Sequence, residues 1–298
     1  MQKNGLAVRV GAVLVTYHPE DEVMENISRL AAQANELVVV DNGSSETFWI
    51  RLREQYPDLQ FRLISNPKNL GIATAFNLGA RALLESGCDF VMTFDQDSVL
   101  PPGYVAALLE GFYAAKAIFG QVGVFASYYR DENSGLLFPN HFQATSDYVI
   151  ADSTISSGNL IPAETFLKIG FFRDDFFIDA VDTEYHLRAS DAGLPLILTP
   201  KVVLPHRIGN QRLTRLLWLE IPLTSHNYIR RYYMARNRVH TYKLFAARHP
   251  SWFRLELRMF LGDFLTMIFF EQDRLRKLKF TLKGISDGIK GRFGALES

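Results

Sequence analysis

Two carboxylates one residue apart follow an apolar run in "VMTFDQDSVL", residues 91–100. Asp95 and Asp97, in a turn just past a strand, can both approach one oxygen-preferring cation such as Mg²⁺ or Mn²⁺. Such ions take one or two carboxylates and complete their shell with water and phosphate oxygens. Alone, the pattern equally describes a solvated turn in which Asp97 or Ser98 caps the next element. The elements around it must decide between a metal site and a turn.

Apolar runs alternate with helical patterns through the first hundred residues. The runs are "VRVGAVLVTY", "LVVVD", "FRLI" and "FVMTF". Between them, apolar residues recur at helical spacing after Pro19, near residues 45–55 and after Asn69, which we interpret as a helix cap. This rhythm predicts an α/β fold, a Rossmann-like domain with a mostly parallel central sheet covered by helices on both faces. We find no linker that divides the chain.

Polar residues follow three of these apolar runs directly, at 16–18, 41–44 and 95–97. In open α/β sheets, ligands bind beyond the carboxyl ends of the strands. Because the three polar segments occupy such ends, we expect them to meet at one site, and this favours a functional role for Asp95 and Asp97.

Charge is distributed unevenly along the 298 residues although the net charge is zero. Residues 1–200 contain 13 Lys and Arg against 25 Asp and Glu, whereas residues 201–298 contain 19 against 7. A basic final third indicates an anionic partner such as nucleotide phosphates or phospholipid headgroups, or it packs on the acidic part. The acidic first two-thirds and the lack of a known motif argue against nucleic acid.

The segment "SWFRLELRMFLGDFLTMIFFEQDRLRKLKF" mixes apolar and basic residues. Asp263 and flanking charges leave it short of the roughly 20 apolar residues that span a bilayer. An interfacial helix on the inner face of the membrane, a buried helical hairpin and a homodimer interface all remain open. The single cysteine, Cys88, and the strand-like N-terminus predict a cytoplasmic protein rather than a secreted one.

Several stretches in order resemble glycosyltransferase family 2 enzymes of the GT-A fold: "VLVTYHP", "VVVDNGS", "NPKNLGIATAFNLG", "TFDQDS", "SSGNL" and "FFIDAVDTEYHLR". "FIDAVDTE", "HRIG" and "RRYYMARN" are similar to bacterial rhamnosyltransferases, and "DGIKGRFGALE" to those that add the second sugar of rhamnolipids. The resemblance implies a nucleotide-sugar-binding catalytic domain over residues 1–210. It further implies a helical, basic region over 211–298 that serves the acceptor, the membrane or oligomerisation.

The resemblance also assigns roles to individual residues. For the nucleotide sugar it implies Thr16, Tyr17, Pro19, Asp41, Asn42, Asn69, Gly71, Asp95, Gln96, Arg231 and Arg236. For a divalent metal, Mg²⁺ or Mn²⁺, it implies Asp95, Asp97 and His206, and for the acceptor it implies Ser157, Gly158, Asp179 and Glu184. Structural alternatives stay open: a helix start at Gly71, a structural His206, and arginines paired with acids of the N-terminal part.

"DAVDTE" places three acids within six residues. On a helix start, Asp179 and Asp182 share a face and Glu184 points elsewhere, while acids in a first turn also simply stabilise the helix dipole. Many family 2 enzymes carry Glu-Asp where this chain has Val181-Asp182. We therefore expect Asp182 to be the general base that deprotonates the acceptor hydroxyl.

The resemblance implies an inverting transfer from dTDP-β-L-rhamnose that produces an α-L-rhamnoside. The acceptor it implies is a glycolipid, such as a rhamnolipid precursor, or a lipid-linked or lipopolysaccharide glycan. The alternatives are a family 2 enzyme of another nucleotide sugar and a non-catalytic, membrane-associated scaffold of the same fold.

Overall fold

The computed structural model describes residues 2–3, 6–139, 147–207, 211–216, 219–224 and 226–296. Positions 208–209 of the "HRIG" segment and residue 297 of the C-terminal segment lie outside these ranges. Two short strands near the N-terminus, β1 (Gln2–Lys3) and β2 (Leu6–Ala7), form a small antiparallel pair.

A nine-stranded sheet forms the centre of the molecule, in the order β5-β4-β3-β6-β10-β7-β11-β9, with β8 paired to β7. Its strands are β3 (Val10–Thr16), β4 (Glu36–Asp41), β5 (Arg62–Ser65), β6 (Phe90–Asp95), β7 (Val124–Asp131), β8 (Leu137–Phe138), β9 (Val149–Ala151), β10 (Asn159–Pro162) and β11 (Leu196–His206). Strands β3, β4, β5, β6, β7 and β11 run in one direction, whereas β8, β9 and β10 run against them. The predicted α/β fold with a mostly parallel sheet is confirmed.

Helices cover both faces of this sheet. They are α1 (Glu22–Ala31), α2 (Glu46–Gln55), α3 (Ile72–Glu85), α4 (Tyr104–Phe119), α5 (Ala163–Ile169) and α6 (Val181–Asp191). Alternate residues of each strand enter two separate cores because side chains alternate between sheet faces. On β3, Leu14 packs with α1, α2 and α4, whereas Val13 packs with α3, α5 and α6.

The C-terminal region begins with an antiparallel hairpin of β12 (Gln211–Leu216) and β13 (Leu219–Thr224). Three helices follow: α7 (Tyr228–Phe245), α8 (Pro250–Phe270) and α9 (Arg274–Lys290). The prediction of a helical region over 211–298 thus holds from residue 228 onward, after the hairpin. Among the described residues, no helix is both long enough and apolar enough to cross a bilayer.

Asn237 attaches α7 to the loop that precedes α6. Its amide nitrogen lies 2.8–2.9 Å from the carbonyl oxygens of Phe176, Ile178 and Asp179. The amide is fully buried, so these bonds are shielded from water. The loop before α6 and the first turns of α7 are therefore held as one wall of the same site.

Candidate active site

A cleft with a volume of about 720 Å³ opens at the carboxyl ends of β3, β6 and β11. This is the edge where parallel strands place ligands. Eleven residues predicted from the sequence line it: Thr16, Tyr17, Asn42, Asn69, Gly71, Asp95, Gln96, Asp97, Asp179, Asp182 and His206.

Short hydrogen bonds fix the loops after β3, β4 and β6 relative to one another. The Asp41 carboxylate accepts bonds from Thr16 Oγ1 at 3.0 Å, from the Ser44 N–H at 2.9 Å and from Ser44 Oγ at 2.5 Å. The Tyr17 N–H donates to Gln96 Oε1 at 2.8 Å, which ties the end of β3 to the Asp95–Asp97 turn. The polar segments that follow the three strands therefore form one connected rim.

Gly71 forms the floor of the cleft where α3 begins. Its φ of +89° with ψ of 158° lies in a region almost reserved for glycine. A Cβ there would come 2.5 Å from the Phe177 carbonyl oxygen. Asn69 Oδ1 accepts the Gly71 N–H at 2.8 Å, so Asn69 shapes this turn without capping α3 directly.

Asp95 lies beside Asp97 with one carboxylate oxygen unpartnered among the described residues. Its Oδ1 is buried and has no hydrogen-bond partner in the described structure. Burial first, and then the charges of Asp97 and Asp182, raise the pKa of Asp95 to about 8. Carboxylates crowded in a dry site favour either a proton or a cation. The oxygen-rich donor set and the unpartnered Oδ1 fit a hard divalent ion.

His206 closes the other side of the Asp95–Asp97 turn. Its Nδ1 lies 2.8 Å from Ser98 Oγ and 3.6 Å from Asp97 Oδ1. Burial lowers the pKa of His206, so the ring is neutral at pH 7. Within the described ranges, no three His, Cys, Asp or Glu side chains converge on one point. The predicted metal set of Asp95, Asp97 and His206 thus does not form a three-ligand cluster among these residues, and Nδ1 of His206 contacts Ser98 Oγ.

Asp182 lies in the first turn of α6, across the cleft from β6. Burial raises its pKa, a bond from the Thr183 N–H at 2.7 Å offsets part of that rise, and the net pKa is about 6. Asp179 precedes the helix, because α6 begins at Val181 and Asp179 has a φ of +65°. The expectation that Asp179 and Asp182 share a helix face is therefore wrong, although both line the cleft.

Arg230 on α7 lines the cleft, and its guanidinium Nη2 lies 3.2 Å from Asp179 Oδ1. Asp179 first, and Asp95 and Asp97 more weakly, raise the pKa of Arg230. Its charge therefore faces the carboxylates at the end of β6, where an anionic leaving group would need a partner.

Two arginines predicted to bind the nucleotide sugar lie outside the cleft. Arg231 is 4 % exposed and forms ion pairs with Asp263 and Glu271. Arg236 is fully buried and donates to the carbonyl oxygens of Gly294, Asp175 and Phe176. Both guanidinium groups contact partners within the protein. The two partners of Arg231 belong to the C-terminal region itself.

Three residues predicted to bind the acceptor instead contact other parts of the protein. Ser157 Oγ accepts the Asp95 N–H at 3.0 Å and lies 2.6 Å from Ser98 Oγ, beneath the turn. A Cβ on Gly158 would come 2.5 Å from the Tyr104 hydroxyl. Glu184 accepts two bonds from Arg188 at 2.8–2.9 Å inside the protein. None of the three lines the cleft, and neither do Asp41 and Pro19.

Further cleft residues were not identified from the sequence: Tyr129, Ser156, Phe177, Arg207, His226, Arg230, Met234 and Arg238. Arg230, Met234 and Arg238 follow one another at intervals of four on α7, which places them on one face. That periodicity was present in "RRYYMARNR", but polar and aromatic residues surround α7 and hide which face meets the cleft.

Sequence comparison assigns the N-terminal half to a known family. Residues 12–158 match "Glycosyl transferase family 2". The chain is 30% identical over 299 residues to the "dTDP-rhamnosyl transferase RfbF" of Shigella flexneri, covering 95% of this chain and 96% of that protein. The similarity therefore extends beyond the matched domain into the C-terminal helices.

Two solved structures share the fold along most of the chain. The mannosyltransferase PcManGT from Pyrobaculum calidifontis, in complex with GDP-Man and Mn²⁺, matches 97% of this chain and 76% of its own, with a TM-score of 0.58 and 18% identity. Residues 1–349 of S. aureus TarS, in complex with UDP-GlcNAc, match 95% of this chain and 81% of theirs, with a TM-score of 0.58 and 15% identity. This likeness confirms the predicted GT-A fold.

Proposed function

Because the chain belongs to glycosyltransferase family 2 and is a glycosyltransferase, we propose that it transfers L-rhamnose from dTDP-β-L-rhamnose. The donor is supported by the relative of 30% identity that is named a dTDP-rhamnosyl transferase and aligns from end to end. The acceptor is a hydroxyl of a glycolipid or lipid-linked glycan, and the product is an α-L-rhamnoside. Residues 1–210 supply the donor site, and the C-terminal region completes the acceptor side.

The observation that carries this proposal is the placement of Asp95 and Asp182 in one cleft. Asp95, with a pKa raised to about 8, needs a cation to remain ionised at neutral pH. Asp182, with a pKa raised to about 6, is ionised at pH 7 yet basic enough to accept a proton. The two carboxylates are thus suited to different tasks.

Asp95 and Asp97 are the residues that would hold a divalent ion, Mg²⁺ or Mn²⁺, with water and diphosphate oxygens as its other ligands. When bound, the ion supplies positive charge that stabilises the departing diphosphate. His206 stays in a positioning role, since its backbone pairs with Ser98 and its ring contacts the Ser98 hydroxyl.

The reaction is a single displacement at the anomeric carbon. Asp182 accepts the proton of the acceptor hydroxyl while that oxygen forms a bond to C1 from the face opposite the diphosphate. The bond between C1 and the phosphate oxygen breaks, dTDP carries away the electron pair, and the anomeric configuration inverts. Arg230 lies where its guanidinium can donate to the diphosphate as negative charge develops there.

A donor-hydrolysis screen tests the donor and the metal together. The full chain is incubated with dTDP-rhamnose, UDP-glucose, UDP-GlcNAc or GDP-mannose, with Mn²⁺, with Mg²⁺ and with a chelator. We expect metal-dependent release of dTDP from dTDP-rhamnose alone. Turnover of another donor instead would support a family 2 enzyme of another sugar, and failure to bind nucleotide with Mn²⁺ would support a non-catalytic scaffold.

The C-terminal helices provide a surface suited to an anionic membrane. On α9, Leu275, Leu282 and Ile289 are 80%, 53% and 57% exposed at intervals of seven residues. Basic residues lie beside them on the same helix: Arg276, Lys279, Lys283 and Lys290. Apolar residues flanked by positive charge suit the headgroup region. Two copies of so basic a helix would repel each other, so we favour the membrane over a homodimer.

Vesicle binding tests this second part of the proposal, which places the enzyme in the cytoplasm against the inner face of the membrane. The triple variant Leu275→Ser, Leu282→Ser and Ile289→Ser is compared with the native chain on anionic and on zwitterionic vesicles. We expect weaker sedimentation with anionic vesicles only. If the variant instead changes from dimer to monomer on size exclusion, the surface is a homodimer interface.

A further inference from the structure

A small side pocket adjoins the cleft beside the start of α6, and Asp179 is the one residue of its lining to which the sequence analysis gave a role. It has a volume of about 110 Å³, several times the roughly 10–15 Å³ that one water requires. It shares four lining residues with the cleft: Asp179, Ala180, Met234 and Arg238. Its remaining lining comes from Thr183, Thr241, Tyr242, Trp252 and Glu256.

Three hydrogen-bond donors of this pocket are buried and have no acceptor within the described structure. They are Arg238 Nη1, the Tyr242 hydroxyl and Trp252 Nε1. Trp252 is only 4 % exposed, so its indole N–H has no access to bulk water. A buried donor without an acceptor is destabilising, because it loses its hydrogen bonds to water and gains none in the protein. Three such donors around one cavity indicate a site that receives oxygen atoms from outside the chain.

Acceptors of hydrogen bonds lie in the same pocket, which narrows the class of ligand. Glu256 Oε2 is 3.6 Å from Arg238 Nε, and Asp179 lines the mouth. A phosphate or carboxylate would meet two like charges here. Hydroxyl groups both donate and accept, so they match donors and carboxylates together. The edge-to-face pair of Tyr242 and Trp252, with ring centroids 5.8 Å apart, adds apolar surface for ring C–H groups.

The side pocket is also close to the proposed base. Asp182 lines the cleft with Asp179 and Ala180, the residues that form the mouth of the side pocket. Glu256 contributes to the raised pKa of Asp182, which places the two carboxylates within electrostatic reach. The side pocket and the cleft are therefore close enough for one molecule to occupy both, with its reacting hydroxyl at Asp182.

We propose that the side pocket is an acceptor subsite for sugar hydroxyls, so that the acceptor is a glycan and not a simple hydroxy fatty acid. This inference rests on the proposed transfer reaction and deepens its acceptor class. An alkyl chain would leave the three donors unpaired, whereas a sugar ring next to the attacking hydroxyl satisfies them. The pocket holds only part of a ring, so the rest of the sugar occupies the cleft.

Indole N–H resonances test the subsite without knowledge of the natural acceptor. The full chain with Mg²⁺ and dTDP is titrated with methyl α-L-rhamnoside and with methyl β-D-glucoside. We expect the Trp252 signal, assigned with Trp252→Phe, to shift with at least one glycoside. Trp49 is the matched control, because its indole N–H is also buried and unpartnered but lies in the core on α2. No Trp252 shift with either glycoside, or an equal shift of Trp49, overturns the proposal.

Partitioning between sugar and water as acceptors provides the kinetic test. The ratio of transfer to the glycoside over donor hydrolysis should fall about fivefold to tenfold in Tyr242→Phe, the effect of one lost hydrogen bond. Tyr185→Phe is the matched control, since its hydroxyl is equally unpartnered and buried but belongs to the core. An unchanged ratio in Tyr242→Phe contradicts the subsite. Absence of all dTDP-rhamnose turnover in the native chain contradicts the proposed function instead, while the resonance test still decides the subsite.

Discussion

Arg230 and Asp179 form an ion pair at the wall of the cleft, with the guanidinium Nη2 3.2 Å from the carboxylate Oδ1. The next residue, Arg231, is buried and forms ion pairs with Asp263 and Glu271 at α8. Adjacent arginines on one helix therefore have different surroundings, because successive residues are rotated by about 100°. Substitutions of Arg230 and Arg231 therefore separate effects on catalysis from effects on stability within one short segment.

Arg230→Gln should lower kcat/KM for the donor by about 10- to 100-fold, the value of a hydrogen bond to a charged group. Arg230 is 45% exposed, so its loss should leave the folded structure intact. The check is steady-state kinetics alongside thermal unfolding. Partial recovery in Arg230→Lys would support a role of charge, and native kinetics in Arg230→Gln would remove Arg230 from the site.

Arg231→Met should instead destabilise the fold by about 3 kcal/mol or more, because it leaves the Asp263 carboxylate without its partner. Glu271 keeps its ion pair with Lys277, whose ammonium lies 2.6 Å from Glu271 Oε2. The substitution therefore leaves one acid unpaired and not two. Urea unfolding followed by circular dichroism measures the change. If Arg231→Met retained native stability but lost donor binding, the original sequence prediction would be restored.

Strand-end residues were predictable from the sequence, whereas the residues contributed by helices were not. Thr16 and Asp95 end apolar runs, and in a parallel sheet such ends meet at one edge. Arg230 could not be distinguished from Arg231, since α7 has no clear apolar stripe to set its rotation. Glu184 was predicted to bind the acceptor, whereas in the structure it pairs with Arg188 four residues later on α6, a local pairing that the spacing allows but does not by itself establish. Burial and long-range packing, added to local spacing, decide these cases.

Asp182→Asn should lower kcat by about 10²–10⁴-fold, the range for a general base, without weakening dTDP binding. In the native chain, kcat/KM should fall as the pH drops below about 6, because protonated Asp182 cannot accept the acceptor proton. Residual activity of the variant should lack that limb. Isothermal titration with dTDP separates binding from chemistry, and turnover close to native would exclude Asp182 as the base.

Gly71→Ala should both destabilise the protein and abolish donor binding. The backbone region alone costs up to about 3 kcal/mol for a residue with a Cβ, and the Cβ would meet the Phe177 carbonyl oxygen at 2.5 Å. Gly103→Ala is the control, with a φ of +74° and no atom within 4 Å of the added carbon. It should cost only about 1 kcal/mol and leave dTDP binding unchanged. Equal effects of the two variants would mean that Gly71 needs only its positive φ.

His186 makes stability depend on pH away from the active site. The ring lies on α6 and is fully buried, its Nε2 lies 3.1 Å from the Asn159 amide, and burial lowers its pKa from 6.5 to about 3. Below pH 6.5 the unfolded chain binds a proton that the folded chain rejects until about pH 3. Stability is therefore complete above pH 6.5 and should decline by up to about 1.4 kcal/mol per pH unit within that window.

The comparison of native protein with His186→Gln isolates this contribution. Asp95 and Asp182 have raised pKa values, so the folded state binds their protons more readily, and they act in the opposite direction as the pH falls. The difference in unfolding free energy between native and variant cancels those terms. The variant should be less stable at pH 7.5, and the gap should narrow toward pH 5 because only the native chain loses the histidine contribution. If the difference in unfolding free energy stayed constant with pH, His186 would take up its proton inside the folded protein over the same pH range as in the unfolded chain.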